Sequence, residues 1–508
     1  MPNDQHSAWY AAFKAKDPRF DGRFFVGVTS TGIYCRPVCR AKLPRAENCA
    51  FYATAAAAEQ AGFRPCLLCR PEIAPGAAPL NASLNVPVDA AASLARRAAR
   101  LLEDNCGSGH GVEELARRLG CTGRHLRRVF MVEYHVAPVQ YLQTCRLLLA
   151  RNLLADTDLS VIDVAMAAGF GSLRRFNALF RKHYRLAPTA LRKQAATHGK
   201  QGTGVTLALG YRPPYQWQAI LEFLASRAIP GVELVRDGEY LRTVRFATGT
   251  PRAVSGWIRV GHQPGKRVLT VAMDAALLPV LSRVLARVRQ LFDLHCDPGT
   301  IYETLSSMND IRPGLCVPGT RLPGCFDAFE MTVRAVLGQQ ITVKAAGTLA
   351  ARLVRAHGIP VETGIAGLTH AFPAPETIMS LEGAGAIGDH LGPLGITGAR
   401  ARTILALARL FAAGDADFGH RAPPEDGIET LLAVPGIGMW TAHYIAMRAM
   451  GWPDAFPHTD HGVRKALAPR TPEQILALAE SWRPWRAYAT INLWNSLGSR
   501  PSGQALIG

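Results

Sequence analysis

Hydrophobic periodicity divides the second half of the chain into two kinds of structure. Between 205 and about 312, alternating apolar positions in EYLRTVRFA (239–247) and RVLTVAM (267–273) predict strands. In the same segment, QWQAILEFLASRA (216–228) and LLPVLSRVLARVRQLF (277–292) carry apolar residues at helical spacing. Beyond 312, helical spacing dominates to the C-terminus. We therefore predict an α+β segment followed by a helical bundle.

A repeated helical pattern precedes this half. Four positions of a first copy recur 49 residues later: Val112, Leu115, Ala116 and Gly120 correspond to Val161, Val164, Ala165 and Gly169. Leu126 and Phe130 recur 50 residues later as Phe176 and Phe180. Each copy combines an apolar helix, a glycine suited to a tight turn and a second helix rich in arginine. The pattern predicts two helix-turn-helix units.

Two polar, Pro-rich or Gly-rich stretches separate these segments. They are EIAPGAAPLNASLNVP (72–87) and KQAATHGKQGTG (193–204), which have the composition of linkers. We therefore predict four domains, at 1–75, 86–195, 203–312 and 313–508. The fold class is multidomain and mostly α with α+β parts.

The charge balance indicates a polyanionic partner. The 508 residues include 57 Lys plus Arg against 39 Asp plus Glu, and 86–195 alone carries 17 basic against 9 acidic side chains. Such an excess favours nucleic acid over a small-molecule substrate. No apolar N-terminal leader and no apolar run of roughly 18 residues is present. We expect a cytoplasmic protein that acts at the nucleoid, with no membrane-spanning part.

Four of the eleven cysteines form two close pairs. Cys35-x3-Cys39 and Cys66-x2-Cys69 are separated by 26 residues, which is compatible with one tetrahedral Zn²⁺ held by four thiolates. Spacing alone leaves open whether this site is a closed structural knuckle or contains a reactive thiolate. Without a secretory signal, we interpret the other seven as small buried hydrophobes: Cys49, Cys106, Cys121, Cys145, Cys296, Cys316 and Cys325.

A reactive thiolate would also change the charge of the site. Four thiolates around one Zn²⁺ have a formal net charge near −2, so the sulfurs are nucleophilic without a general base. A sulfur that accepted a methyl group from an alkylated phosphate would lose its negative charge. Repulsion from DNA would then fall, and affinity for DNA would rise.

The second helix of each repeat carries candidate DNA contacts. In TGRHLRRVFM (122–131) and GSLRRFNALFRK (171–182), apolar residues hold the helix and leave polar residues free for a groove or for phosphates. These residues are Arg124, Arg127, Arg128, Arg174, Arg175, Asn177, Arg181 and Lys182. A single charged helix face is more often merely solvated, but its duplication with matched turn glycines favours DNA binding.

The stretch DVAMAAGFGSLRRFNALFRKHYRLAP (163–188) resembles the signature of AraC-type transcription regulators. The resemblance implies two recognition helices that enter successive major grooves on one face of the DNA. It also implies RNA polymerase as a partner.

The stretch RFFVGVTSTGIYCRPVCRAKLPRAENCAFYATAAAAEQAGFRPCLLCRP (23–71) resembles the N-terminal domain of the Ada adaptive-response proteins. The resemblance implies a small α+β zinc domain in which Cys35 accepts methyl groups from DNA methylphosphotriesters. Cys39, Cys66 and Cys69 would be the other zinc ligands. No PCHRV-like motif of an O6-methylguanine methyltransferase follows.

The stretch LLAVPGIGMWTAHYIAMRAMG (431–451) has the pattern of a helix-hairpin-helix. Gly436 and Gly438 would form the hairpin, whose exposed amides can hold a DNA phosphate. Asp460 follows Gly438 by 22 residues, the separation used by helix-hairpin-helix DNA glycosylases. Asp460 could instead be a simple helix N-cap. The combination of hairpin and aspartate favours a glycosylase.

Most of 205–500 resembles AlkA-type 3-methyladenine DNA glycosylases. LALGYRPPYQWQAILEFLASRA (207–228), RPGLCVPGTRLPGCFDAFEMTVRAVLGQQITV (312–343) and WRPWRAYATINLWNSLG (482–498) carry the resemblance. It implies a small α+β domain and a helix-hairpin-helix bundle that bind DNA and flip out the damaged base. Asp460 would stabilise the oxocarbenium-like sugar and orient water. Trp440, Tyr444 and Trp494 would stack on the flipped base.

The resemblance also sets limits on this chemistry. Trp440 occupies the place of the Schiff-base lysine of lyase-competent relatives, and no cysteine after Cys325 could hold an iron–sulfur cluster. We therefore expect a monofunctional hydrolase. Gln339 and Gln340 are candidate DNA contacts, and Gln340 stands where relatives insert a leucine wedge. A monovalent cation at the hairpin is a further expectation from the family.

The leading hypothesis is one monomeric chain that combines a methylphosphotriester sensor, an AraC-type regulator and a 3-methyladenine glycosylase. The alternative is a transcription regulator whose glycosylase-like domain binds DNA without cutting the glycosidic bond.

Overall fold

The computed structural model describes residues 2–76, 90–107, 111–196, 205–247, 253–414, 418 and 424–498. Most of the two predicted linkers, at 77–87 and 197–204, therefore lies outside the described residues. None of the helices in the described ranges combines the length and the apolar composition that a membrane span requires.

Parallel pairing of two short strands in the N-terminal module brings its cysteine pairs together. Its four-stranded sheet has the order β3-β1-β2-β4, with β1 antiparallel to both neighbours and β2 parallel to β4. Cys35 is the last residue of β2 and Cys66 directly follows β4, so both lie at the same sheet end. The elements are α1 (Pro2–Ala15), β1 (Phe25–Val28), β2 (Ile33–Cys35), β3 (Cys49–Tyr52), α2 (Ala55–Gln60) and β4 (Arg64–Pro65).

The second module confirms the predicted pair of helix-turn-helix units. Gly120 and Gly169 occupy equivalent turns with φ of +67° and +83°, a conformation that favours glycine. Phe130 and Phe180 are fully buried at equivalent positions. The helices are α3 (Ala90–Asp104), α4 (Val112–Arg118), α5 (Gly123–Tyr134), α6 (Pro138–Asp156), α7 (Val161–Ala167), α8 (Leu173–Tyr184) and α9 (Pro188–Ala196). The long helix α6 connects the two units.

The third segment is α+β, as its periodicity predicts. Its five-stranded antiparallel sheet has the order β5-β9-β8-β7-β6. The strands are β5 (Val205–Gly210), β6 (Glu233–Arg236), β7 (Glu239–Phe246), β8 (Val254–Gln263) and β9 (Val268–Met273). The helices are α10 (Trp217–Ala225), α11 (Leu281–Leu291), α12 (Pro298–Leu305) and α13 (Met308–Ile311).

The last segment is a helical bundle that includes one two-stranded ribbon. Its first elements are α14 (Ala328–Leu337), α15 (Val343–His357), β10 (Ile359–Pro360), β11 (His370–Ala371), α16 (Pro375–Glu382), α17 (Ile387–Leu391) and α18 (Gly398–Ala413). The remaining helices are α19 (Pro424–Leu432), α20 (Met439–Arg448), α21 (His461–Ala466), α22 (Pro472–Ala479) and α23 (Arg486–Gly498). The hairpin lies between α19 and α20, as predicted.

The modules pack against one another more extensively than the two linkers suggest. One cluster of buried apolar residues extends from α6, α7 and α8 through the five-stranded sheet into the bundle. Leu154, Leu207 and Leu431 illustrate this continuity across three segments. Two of the isolated cysteines depart from the prediction, because Cys121 and Cys145 are only half-buried, whereas the other five are buried.

Candidate metal and nucleic-acid sites

The four cysteines of the two pairs form one cluster. Their Sγ atoms all lie within 4.8 Å of one another. Cys35, Cys39 and Cys66 are buried and Cys69 is half-buried. The amide of Arg36 donates to Cys69 Sγ at 3.3 Å, and its side chain donates to the Cys69 carbonyl at 3.0 Å. The loop after β2 is thus held onto the second cysteine pair.

The chemistry of these four donors fits a zinc ion. Hydrogen bonding to Cys39 and Cys66 raises the pKa of Cys35, whereas hydrogen bonding to Cys35 lowers the pKa of Cys66. Four thiolates packed this closely repel one another, so together they require a compensating positive charge. Zn²⁺ takes four thiolates in tetrahedral geometry. The cluster supports the predicted Zn²⁺ held by Cys35, Cys39, Cys66 and Cys69.

The metal cluster is connected directly to the helix-turn-helix module. Arg151 of α6 is 3% exposed, donates to the Cys66 carbonyl at 2.9 Å and pairs with Glu72, which is 1% exposed. Glu72 also accepts from Arg70 at 2.8 Å, and Arg70 pairs with Asp156 at 2.7 Å. A buried ionic network therefore fixes the metal module on α6.

A second buried carboxylate links the same modules. Glu59 of α2 accepts hydrogen bonds from Tyr34, the neighbour of Cys35, at 3.1 Å and from Thr144 of α6 at 2.7 Å. His183, in the last turn of α8, lies 3.4 Å from the same carboxylate. Glu59 thus contacts the strand of Cys35 and the second recognition helix. Sequence reasoning missed it, since one glutamate in an alanine-rich helix gives no local signal.

The predicted recognition helices differ in how freely they present their basic side chains. In α5, Arg124 is exposed, Arg127 pairs with Glu113 of α4, and Arg128 lies 3.3 Å from His125 Nδ1. The predicted DNA-contact residues of α8 form no ion pair with any described residue. Of these, Arg174, Arg175, Arg181 and Lys182 are exposed, and Asn177 is half-buried. The second helix therefore offers more free positive charge to a phosphate backbone.

The hairpin before α20 is held in place by side chains from α18 and from the turn after α14. Gly436 has φ of +90°, and a Cβ there would lie 2.2 Å from Thr403 Oγ1. Thr403 donates to the Pro435 carbonyl at 2.8 Å, and Gln339 Nε2 donates to the Gly436 carbonyl at 2.9 Å. Gly438 N-caps α20 without a side-chain cap. Two hairpin carbonyls, those of Pro435 and Gly436, therefore already accept hydrogen bonds from side chains. The expected monovalent cation at the hairpin stays a prediction.

The two predicted glutamines have different surroundings. Gln339 is half-buried and also donates to Thr441 Oγ1 at 3.1 Å, so its amide nitrogen serves the hairpin rather than an external ligand. Gln340 is exposed and has φ of +54° in the turn between α14 and α15. Of the pair, Gln340 remains the candidate for insertion into DNA.

Asp460 lies among the predicted aromatic residues and also N-caps α21. Its Oδ1 accepts hydrogen bonds from the amides of Gly462 and Val463, at 2.8 and 3.1 Å. Trp494 Nε1 donates to the same oxygen at 2.8 Å, and Trp440 Nε1 donates to Oδ2 at 3.0 Å. The capping role weighed from the sequence is therefore present, and the same carboxylate accepts hydrogen bonds from two of the predicted pocket residues.

Ring contacts complete an aromatic cleft beside Asp460. Trp440 and Tyr444 stack with centroids 5.4 Å apart at 6°, and Tyr444 lies 6.2 Å from Trp494. Phe223 of α10 stacks against Trp494 at 6.4 Å. Sequence reasoning missed Phe223, since it is 271 positions from Trp494. All three predicted pocket residues are half-buried.

Arginines surround the buried end of this cleft. Arg448 Nη1 donates to Tyr444 Oη at 3.1 Å, and the guanidinium groups of Arg448 and Arg227 lie over the Phe223 ring at 4.7 and 3.8 Å. Burial opposes ionisation of Tyr444, but Arg448 and Arg227 outweigh it, so the pKa of Tyr444 lies below its ordinary value. The guanidinium group of Arg448 thus holds the hydroxyl oxygen of Tyr444, and this contact fixes the Tyr444 ring.

Comparison with known proteins gives matches along most of the chain. The matching families are the metal binding domain of Ada at 8–72, a helix-turn-helix domain at 115–194, the AlkA N-terminal domain at 206–327 and the HhH-GPD superfamily of base excision DNA repair proteins at 333–472. These matches confirm the predicted order of the resemblances.

Individual relatives extend this pattern. The probable bifunctional transcriptional activator/DNA repair enzyme AlkA of Mycobacterium tuberculosis is 39% identical over 505 residues, covering 97% of each chain. DNA-3-methyladenine glycosylase 2 of Escherichia coli is 36% identical, covering 58% of this chain and 98% of its own length. The bifunctional transcriptional activator/DNA repair enzyme Ada of Escherichia coli is 34% identical, covering 38% of this chain and 50% of its own length.

Proposed function

Because the chain belongs to the family of bifunctional transcriptional activator/DNA repair enzymes that join Ada-type and AlkA-type domains, we propose that it couples detection of methylated DNA phosphates to transcription and to excision of alkylated bases. The sensor is assigned to 1–75, the regulator to 86–195, and the glycosylase to 203–312 and 313–508. The chain acts on duplex DNA as a monomer and has RNA polymerase as its partner at promoters.

The first proposed reaction is methyl transfer to Cys35. The Cys35 thiolate attacks the methyl carbon of a DNA methylphosphotriester, an S–C bond forms, the C–O bond breaks, and the phosphodiester leaves with the negative charge. Bound zinc would keep the four sulfurs deprotonated and nucleophilic at neutral pH. The observation that supports this step is the cluster of four Sγ atoms within 4.8 Å. The product thioether is stable, so each chain reacts once.

The second proposed event is a rise in DNA affinity. Methylation lowers the negative charge of the cluster by one, in a module fixed on α6 by Arg151 and Glu72. Less repulsion from DNA phosphates then favours engagement of the two recognition helices. We expect specific affinity for promoter DNA to be higher after methylation of Cys35.

The third proposed reaction is excision of cationic bases such as 3-methyladenine. The base is flipped into the cleft of Trp440, Tyr444 and Trp494, where electron-rich rings stack on it. The glycosidic bond breaks with its electron pair going to the cationic base, which leaves neutral, and Asp460 stabilises the developing sugar cation. Asp460 also orients a water molecule, which adds to C1′ and releases one proton to solvent. Without a lysine nucleophile at the position of Trp440, the product is an abasic site.

Two assays test these reactions separately. For methyl transfer, intact-mass and peptide analysis after incubation with methylated DNA should locate one added methyl on Cys35. An unmodified Cys35 under conditions that consume the phosphotriester would refute the sensor role. For excision, the parent chain should release 3-methyladenine and its Asp460→Asn variant should not. Absence of release by both would favour the alternative, a regulator with an inactive glycosylase-like domain.

A further inference from the structure

Among the described residues, four hydrogen bonds reach the carboxylate of Asp460, and they are distributed unequally between its two oxygens. Oδ1 accepts three, from Gly462 N, Val463 N and Trp494 Nε1, at 2.8, 3.1 and 2.8 Å. Oδ2 accepts one, from Trp440 Nε1 at 3.0 Å. Each oxygen of an ionised carboxylate has about two acceptor sites. Oδ1 is therefore saturated, while Oδ2 retains one free acceptor direction.

From this asymmetry we infer that Oδ2 of Asp460 is the oxygen that faces the reacting sugar, and that Trp440 and Trp494 are positioning residues for it. They act through their indole N–H groups, in addition to any stacking on the base. This inference rests on the proposed glycosylase function, and it gives two aromatic pocket residues a second role in the chemical step.

Orientation of this carboxylate needs more than the helix N-terminus. The torsion that rotates an aspartate carboxylate is broad, so bonds to one oxygen leave the other free to swing. The amides of Gly462 and Val463 hold only Oδ1. Trp440 and Trp494, which belong to α20 and α23, instead hold one oxygen each. Together they fix the plane of the carboxylate before substrate arrives, which is what electrostatic preorganisation requires.

The two indoles are themselves held by their neighbours. Trp494 stacks on Phe223 at 13°, and Trp440 stacks on Tyr444 at 6°. Gly462 makes room for Trp494, because a Cβ there would lie 2.7 Å from Trp494 Cδ1 and 3.0 Å from Nε1. The direction of each N–H bond is therefore set by packing rather than by chance rotation.

Phenylalanine separates the two roles, since stacking needs the aromatic ring while positioning needs the N–H group. We would prepare Trp440→Phe and Trp494→Phe in the full-length, zinc-loaded chain. Single-turnover release of methylated bases from alkylated duplex DNA would give a maximal rate and a half-saturating enzyme concentration. The matched control is Trp217→Phe, which removes an indole bond to the Gly238 carbonyl at 3.1 Å, outside the cleft.

The maximal rate should fall about 10- to 100-fold for each cleft variant. Such a fall corresponds to about 1.4–2.7 kcal/mol of transition-state stabilisation, which is the size of one hydrogen bond to a charged group. The half-saturating concentration should change by no more than about twofold, because the ring still stacks. Trp217→Phe should leave both values at those of the parent chain.

Three results would overturn the inference. They are an unchanged maximal rate in both cleft variants, a loss confined to the half-saturating concentration, or an equal loss in Trp217→Phe. Urea unfolding of the same preparations, followed by circular dichroism, reports whether the variants are folded. Failure of the proposed function would look different, because the parent chain itself would then release no base.

Discussion

Arg151 provides a direct test of how the metal module is held on α6. Its guanidinium is 3% exposed, pairs with Glu72 and donates to the Cys66 carbonyl at 2.9 Å. Arg151→Met keeps most of the side-chain volume but removes the charge and every donor. The expected result is a lower free energy of unfolding for the cysteine module, because its attachment to the helix-turn-helix module is weakened.

The size of the loss follows from the burial of both partners. Removing one member of a buried ion pair destabilises by about 3–5 kcal/mol, since the other charge stays buried. Glu72 keeps its bond from Arg70 at 2.8 Å, which favours the lower end of that range. The Cys66 carbonyl loses its donor, which adds about 1–3 kcal/mol. We therefore expect a loss of about 4 kcal/mol.

The measurement is urea-induced release of zinc from the full chain, followed with a chromogenic chelator. With a denaturant dependence of about 2 kcal/mol/M, the midpoint should fall by about 2 M. The control is Arg117→Met, which breaks an exposed pair with Glu114 and should change stability by no more than about 1 kcal/mol. Equal midpoints for the two variants would refute the reasoning. Arg151→Met/Glu72→Leu should be more stable than Arg151→Met, because no unpaired carboxylate remains.

Three further predictions concern other parts of the chain. Gly462→Ala places a Cβ 2.7 Å from Trp494 Cδ1, so the rate of base excision should fall by about tenfold or more. Methyl transfer to Cys35, measured on the same sample, should stay at the parent level. Arg174→Ala should reduce the slope of log affinity for DNA against log salt concentration by about 0.9. Arg127→Ala should reduce this slope less, because the charge of Arg127 is already paired with Glu113. Equal slopes for the two variants would contradict the difference between the two helices. Burial raises the pKa of Asp293 to about 6, against about 3.9 in an unfolded chain. Because the folded state binds the proton more tightly, the free energy of unfolding should fall as pH rises from about 4 to 6. In a profile of stability against pH measured by urea unfolding, Asp293→Asn should flatten that part of the curve.

Local sequence patterns were sufficient for the elements and for the chemistry of the separate motifs. Alternation predicted β7 and β9, and the recurrence of Gly120 as Gly169 predicted both helix-turn-helix turns. These signals work because side-chain direction repeats every two residues in a strand and every 3.6 in a helix. The cysteine spacing likewise predicted a four-thiolate zinc site, since ligand number and type are local properties.

Tertiary contacts decided how the same side chains are used. The sequence alone presented Arg127 and Arg174 as equivalent, but Glu113 pairs with the first and no described residue pairs with the second. Gln339 was a candidate DNA contact, yet its amide holds the Gly436 carbonyl across 97 positions of sequence. Neither partner is encoded near the residue that it changes.

The amino-acid sequence by itself therefore determined the module order, and it singled out the four cysteines as candidate zinc ligands and Asp460 as the candidate carboxylate. Only the tertiary structure decided that Trp440 and Trp494 donate to opposite oxygens of that carboxylate, and that Arg151 ties the cysteine cluster to α6. The physical reason is that periodicity and spacing act over a few residues along the chain. Hydrogen-bond direction and burial instead depend on atoms that folding brings together from distant positions.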